Sequence, residues 1–209
     1  PKIDVSIDYT KILERKNNVV SQLGAGVEHL FSKRRIPVIH SIATLIRRNS
    51  DCFEVHTNDG ESYQSDYLIV ATGSLPKNLP GISIDEENIL SSTGILKLNK
   101  LPKSLAVVGG GVVGCEFASI FANFNVEVTI IEFLPRLVAM EDEEISKRLA
   151  LALKKSGIKV MIKVGVQALS SEGELQKLQL SDDSELYAEK VLLSVGRTPK
   201  LDIATDGFD

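Results

Sequence analysis

Between Leu105 and Glu132 the chain runs from an apolar strand, LAVV, into a turn with Gly109, Gly111 and Gly114 in G-x-G-x-x-G spacing. A helical stretch follows, then a second apolar strand closing on an acid. Each residue type in this segment answers a steric demand. Gly109 permits a sharp reversal after the strand, Gly111 has no side chain to hold the backbone away from a diphosphate, and Gly114 lets the helix press against the strand. A diphosphate would then rest on the positive end of the helix that starts near Val112, where unpaired N–H groups point outward. Taken alone, the glycines also fit a strand–helix turn that binds nothing. With the strand before, the helix after and Glu132 at the end of the next strand, the segment reads as a dinucleotide-binding βαβ unit.

Glu132 bears on which dinucleotide is preferred. A carboxylate there accepts hydrogen bonds from an adenosine ribose diol and repels a 2′-phosphate. Like charges about 4 Å apart repel by roughly 4 kcal/mol at an effective dielectric of about 20, which favours NAD. Arg136, four residues on, is a possible phosphate partner but reads better as a solvated loop arginine.

With 209 residues, 43% hydrophobic and 25% charged, the chain can bury a substantial core and is near the size at which two domains form. A net charge of −4 gives no support for a nucleic-acid partner or an anionic membrane surface. No apolar run approaches the roughly 18 residues of a membrane span, so neither partner is expected. The start at Pro1, with no methionine or signal-like segment, is read as a piece of a longer protein. Cys52 and Cys115 are far apart and belong to no close pair, so two reduced thiols are expected, Cys115 buried and inert under a packed helix face. His29, His40 and His56 lack ligand spacing, and no metal site is expected.

Residues 8–34 carry Ile12, Leu13, Val20, Leu23, Val27, Leu30 and Phe31 on one face, which predicts a long amphipathic helix ending before Pro37. Gly24-Ala25-Gly26 inside it has no preceding strand and is rejected as a phosphate loop. Three strands are predicted at 38–46, 52–57 and 63–70, the last two joined by an Asn58-Asp59-Gly60 turn. The third closes at Ala71-Thr72-Gly73-Ser74 before a Pro- and Gly-containing linker, and a domain boundary is expected between about residues 80 and 95. After the βαβ unit come a helix from Glu143 to Ser156 capped by Gly157, a strand over 158–166, a hairpin at 175–180 and 185–187, and a buried strand at 191–195 ending in Gly196-Arg197-Thr198-Pro199. Both halves share one plan: an antiparallel three-stranded segment, an apolar strand, then a glycine turn.

The stretches LIVATGSLP (68–76), SSTGILKL (91–98), VVGGGVVGCEFAS (107–119), VTIIEF (128–133), MEDEEIS (140–146) and SVGRTP (194–199) resemble, in order and spacing, the pyridine nucleotide–disulfide oxidoreductase family, and most closely its branch that oxidises dihydrolipoamide. The resemblance implies an α/β fold: a Rossmann-like parallel sheet with an inserted three-stranded antiparallel meander for NAD, plus part of a similar FAD domain. Residues 1–88 would be the partial FAD domain, 89–199 the NAD domain and 200–209 the start of the return to the first. Electrons would pass from dihydrolipoamide through a redox-active cysteine pair to FAD, then as hydride to NAD. Thr72, Gly73 and Ser74 would lie against FAD, and the Ala43 backbone near its adenine end. Gly109, Gly110, Gly111, Val112, Val113, Gly114, Cys115 and Glu116 would form the NAD cradle, with Glu116 close to the nicotinamide ribose. Glu132 would take the adenosine ribose, Val166 would pack near the adenine, and Gly196 would approach the nicotinamide half.

Each of these positions also has a plainer reading. Thr72-Gly73 also reads as a strand-ending turn, Val166 as core, Arg197-Thr198-Pro199 as a crossover, and Glu116 as a helix N-terminal acid. Cys115, Lys200 and Ala43 depart from the residues usual in the family. The resemblance further implies a homodimer serving a 2-oxoacid dehydrogenase complex, with dihydrolipoamide presented on a carrier domain, in a bacterial cytoplasm or a mitochondrial matrix. The sequence has no second strand–GxGxxG–helix for the FAD diphosphate, no close cysteine pair and no C-terminal His–Glu pair, so this chain alone is not expected to catalyse the whole reaction. An NADPH-dependent reductase of the same family and a non-catalytic NAD-binding module are the alternatives.

Overall fold

The computed structural model describes residues 7–207. Its first elements are α1 (Tyr9–Lys33), β1 (Ala43–Arg48), β2 (Phe53–Thr57), β3 (Ser62–Ser65), β4 (Ser74–Pro76), β5 (Ile89–Leu90), β6 (Ser104–Val108), α2 (Val112–Asn123), β7 (Glu127–Glu132) and α3 (Glu143–Lys155). Then follow β8 (Lys159–Ile162), β9 (Val166–Glu172), β10 (Leu175–Leu180), β11 (Glu185–Ala188), β12 (Lys190–Leu193), β13 (Arg197–Pro199) and β14 (Ala204–Asp206). The described residues group into two compact units, one of residues 7–13 with Pro76–Thr198 and the other of Glu14–Leu75 with residues 199–207.

The first unit is a five-stranded parallel sheet in the order β5-β12-β6-β7-β8. Its strands are apolar on both sides, as a sheet covered on both faces requires. Leu105, Val107, Val128 and Ile130 point to one face and pack with Phe117, Ala118 and Phe121 of α2 and Leu153 of α3. Their neighbours Ala106, Val108 and Ile131 point to the other and pack with Val191, Leu193, Leu178, Leu180 and Ala188. That second face is roofed by the antiparallel meander β9-β10-β11, whose middle strand buries Gln176, Leu178 and Leu180 and exposes the residues between them more. The expected α/β fold with an inserted three-stranded meander is therefore present.

The strand expected over 158–166 is two strands. Lys163, with φ 60°, turns the chain out of the parallel sheet after Ile162, and Val166 begins the meander. α3 starts where the Asp142 carboxylate accepts the Glu144 N–H at 2.8 Å. Glu143 and Glu144 sit at its positive end and Lys154 and Lys155 at its negative end. Gly157 ends it with φ 84°.

In the second unit β1, β2 and β3 form an antiparallel meander, and β14 pairs parallel with β1, Leu45 opposite Ala204. The turn at Asn58-Asp59-Gly60 forms as read, closed by Thr57 N–H to Glu61 O at 3.0 Å, with Gly60 at φ 87°. Two of the strand expectations need correction. The strand expected over 38–46 begins only at Ala43, and the run 63–70 pairs only as far as Ser65. Tyr67 and Ile69 are 90% and 89% exposed: an apolar run becomes a strand only where another strand meets its backbone, and none of the described residues does so here. Cys52 lies just ahead of β2, not within a strand. α1 forms at full length with Gly24 and Gly26 in its interior, yet buries no residue, and Val20, Leu23, Val27 and Leu30 are all exposed. Among the described residues of this unit only Ile46 is buried. No described helix is long and apolar enough to cross a membrane.

Candidate functional site

At the C-terminal ends of β6, β7 and β12 the first unit opens a cavity of about 580 Å³, lined among others by Gly109, Gly111, Val112, Val113, Glu132, Val166 and Gly196. β6 lies between β7 and β12, and the chain leaves it toward β7 through α2, so the cavity occupies the point where strand order reverses. Seven of the residues expected to meet NAD thus share one wall, although they come from four separate stretches of sequence.

The backbone of the turn is wired to the protein in a regular way. Gly109 N–H donates to Ile131 O at 2.9 Å, and the Gly109 carbonyl accepts the Ser194 hydroxyl at 2.9 Å. Gly110 N–H donates to Glu132 Oε2 at 2.5 Å, and the Gly110 carbonyl accepts Val138 N–H at 2.8 Å. To make that last bond Val138 adopts φ 41°, a costly conformation for a β-branched residue. Every polar backbone group of Gly109 and Gly110 is therefore consumed inside the protein. The next N–H groups, those of Gly111, Val112 and Val113, are three of the four orphan donors of the α2 start, and Gly111 has nothing within 4 Å of where a Cβ would stand.

Three glycines are required for three different reasons. Gly109 takes φ 105°, and a Cβ there would lie 2.5 Å from Ser194 O. At Gly114 a Cβ would stand well inside 3.0 Å of the Gly109 carbonyl, so this glycine sets the closeness of helix and strand. Gly111 faces open space. Gly110, not singled out as a glycine by the motif, is filled from behind by Leu137 and Glu132.

Glu132 is 9% exposed, and its other oxygen, Oε1, accepts Leu134 N–H at 2.7 Å. A carboxylate offers about four acceptor positions, so two are left for ribose hydroxyls. Arg136 is half-buried and fastened, its Nη2 donating to Ala139 O at 2.6 Å, which is a firmer tether than that of a solvated loop residue. Cys115 and the exposed Glu116 line a separate groove between α2 and α3 and do not line the cavity. Burial, reinforced by the charges of Glu132 and Glu116, pushes the Cys115 thiol up to about 11, which leaves it protonated at neutral pH.

In the second unit Thr72 Oγ1 donates to Lys200 O at 2.5 Å, Lys200 N–H donates to Gly73 O at 3.0 Å, and Gly73 has φ 77°. Ser74 begins β4, and Ala43 begins β1 opposite Thr57. Among the described residues no group of three His, Cys, Asp or Glu is placed to hold a metal ion. Sequence reasoning missed Ser194 and Val138. Ser194 did leave a trace, as the one hydroxyl at the end of an apolar strand, VLLS; Val138 left none.

The pyridine nucleotide-disulphide oxidoreductase profile matches residues 3–208. A dihydrolipoyl dehydrogenase of Chlamydia pneumoniae is 36% identical over 204 residues, 98% of this chain and 43% of the relative. The mitochondrial dihydrolipoyl dehydrogenase 1 of Arabidopsis thaliana is 37% identical, over 98% of this chain and 41% of its own length. Among solved structures, the HOCl-induced flavoprotein disulfide reductase RclA of Escherichia coli is 28% identical, with a TM-score of 0.79 over 93% of this chain and 44% of that one. LpdA of Mycobacterium tuberculosis, at 22% identity and a TM-score of 0.83 over 94% of this chain and 44% of its own, shares the fold. The chain spans less than half the length of these relatives.

Proposed function

Since the chain belongs to the pyridine nucleotide-disulphide oxidoreductase family, we propose that its first unit binds NAD and that the whole protein is a dihydrolipoyl dehydrogenase. The observation that carries the reading is the three unspent N–H donors at Gly111, Val112 and Val113, beside a glycine with open space where a side chain would be and an acid closing the adjacent strand. These N–H groups receive the diphosphate. The free acceptor positions of Glu132 take the adenosine ribose diol and disfavour a 2′-phosphate, while Arg136 is tied to its own loop through Nη2 and Ala139 O. Val166 lies along the adenine, and Gly196, at φ 111°, lets the nicotinamide half approach. Gly109, Gly110, Gly114 and Cys115 shape the cradle from behind, whereas Glu116, expected at the nicotinamide ribose, faces the separate groove between α2 and α3 and is given no part in this cavity. When bound, the nicotinamide ring accepts a hydride.

Ala43, Thr72, Gly73 and Ser74 contribute one wall of a flavin site. The sequence carries no second glycine cradle for the FAD diphosphate, so these residues suffice for no more than that wall. In the whole protein, electrons come from dihydrolipoamide on a lipoyl carrier domain, through a cysteine pair and FAD. Cys52 and Cys115 are not that pair, because they belong to different units and Cys115 is buried and protonated. The setting proposed for the whole protein is a homodimer working in a 2-oxoacid dehydrogenase complex, in a bacterial cytoplasm or a mitochondrial matrix; the Arabidopsis relative is itself named as mitochondrial. The test is a fluorescence titration with NADH and NADPH. NADH binding at least tenfold tighter supports the reading, and equal or tighter NADPH binding refutes it.

A further inference from the structure

The glycine turn is held by residues outside its motif, and one of them is a side chain from a strand 85 positions away in sequence. Ser194 directly follows β12, its own N–H donating to Val108 O at 2.8 Å in continuation of the β6–β12 ladder. This seats its hydroxyl in the crevice where the end of β6 meets the first turn of α2. The hydroxyl lies 2.9 Å from the Gly109 carbonyl and 3.2 Å from that of Val108, and 2.6 Å from where a Gly114 Cβ would stand. The Gly109 carbonyl is thus enclosed between Gly114 on one side and the Ser194 hydroxyl on the other.

The N–H of the same peptide group belongs to Gly110 and is held by Glu132. One peptide plane, 109–110, is therefore gripped at both ends, by Ser194 through its oxygen and by Glu132 through its hydrogen. The two glycines flanking it have no Cβ to restrict φ and ψ, so its orientation depends on these two bonds together with those of Gly109 N–H to Ile131 O and of Gly110 O to Val138 N–H on either side. Rotation of this plane would turn Gly110 N–H away from Glu132 and tilt the following N–H groups off the cavity.

We infer that Ser194 is a positioning residue for dinucleotide binding: its hydroxyl locks the Gly109–Gly110 peptide in the orientation that aims the Gly111–Val113 donors into the cavity. The inference rests on the proposal that this cavity takes NAD and adds to it a residue from the opposite side of the sheet's switch point. An unlocked peptide spends part of its time misaligned, and apparent affinity falls in proportion to the competent fraction. With one conformer in ten competent, the dissociation constant rises about tenfold.

The test is Ser194→Ala, with two readouts. In the ligand-free protein, hydrogen exchange at the Gly110 amide is expected to accelerate about tenfold relative to the parent, while the melting temperature changes little because Ser194 is only half-buried. In titrations, the NADH dissociation constant is expected to rise about tenfold; in the assembled enzyme, KM for the nicotinamide substrate rises with kcat unchanged. A merely structural serine would lower the melting temperature and leave both Gly110 exchange and NADH affinity where they were, and that result overturns the inference. If the parent protein itself fails to bind NADH, the cavity assignment falls, whereas the exchange measurement still decides whether Ser194 locks the peptide.

Discussion

Gly111 and Gly114 sit three residues apart in one motif, and the structure demands opposite consequences from the same substitution. At Gly111 a new methyl group meets no atom within 4 Å, and the backbone is extended at φ −72°, which any residue tolerates. Alanine at this helix N-cap costs up to about 1 kcal/mol relative to better caps. Loss of glycine freedom in the unfolded chain returns roughly 0.4–1 kcal/mol. Gly111→Ala should therefore shift stability by less than about 1 kcal/mol, or by less than about 2–4 °C in melting temperature for a chain of this size. That methyl, however, would stand in the open space at the cavity wall where the proposed reading seats a diphosphate, and on that reading a loss of NADH affinity of at least tenfold, about 1.4 kcal/mol, is expected. At Gly114 the methyl meets the Gly109 carbonyl and lies 2.6 Å from the Ser194 hydroxyl, so α2 must move away from β6. Overpacking of this kind costs about 1–3 kcal/mol, or roughly 2–12 °C. Thermal melts of the free proteins, followed by NADH titration, separate the two cases. Gly111→Ala binding NADH as the parent does, or Gly114→Ala melting at the parent temperature, would refute the reasoning.

Glu132→Gln removes the charge that repels a 2′-phosphate, so the ratio of NADPH to NADH dissociation constants should fall at least tenfold; a ratio unchanged within twofold would remove Glu132 from the specificity argument. The Cys115 thiol, raised from 9.0 to about 11, should be about a hundredfold less ionised at pH 8 than an ordinary cysteine, so a thiol reagent should label Cys52 and spare Cys115 in the native protein. Because folding favours the protonated thiol, its contribution to stability is complete below about pH 9 and fades as pH rises to about 11; urea midpoints across that window should fall more for the parent than for Cys115→Ala. Asp142→Ala deletes the cap of α3 and should cost about 0.5–2 kcal/mol, visible as a drop of a few degrees in a thermal melt with NADH affinity retained.

The segment 104–157 was legible because each of its signals is local. Alternating apolar residues on both strand faces, three spaced glycines, Asp142 before α3 and Gly157 after it all act within a few positions of themselves. The run 63–70 misled for the converse reason: its composition suits a buried strand, but a strand exists only where another backbone completes its ladder. β14 went unread because Ala204–Asp206 has little strand character of its own and forms by pairing with Leu45–Arg47, far away in sequence. The glycine turn was legible as a motif, whereas Ser194 and Val138, which hydrogen-bond its carbonyls, come from outside it and only the folded arrangement brings them to the turn.

The uncovered stripe of α1 has a colloidal consequence. Val20, Leu23, Val27 and Leu30 present a greasy ridge to water along a 25-residue rod, with little besides the flanking charges to keep two such ridges apart. Sulfate, which strengthens apolar association and screens charge at once, should make solutions of this chain scatter light well before it perturbs the parallel sheet.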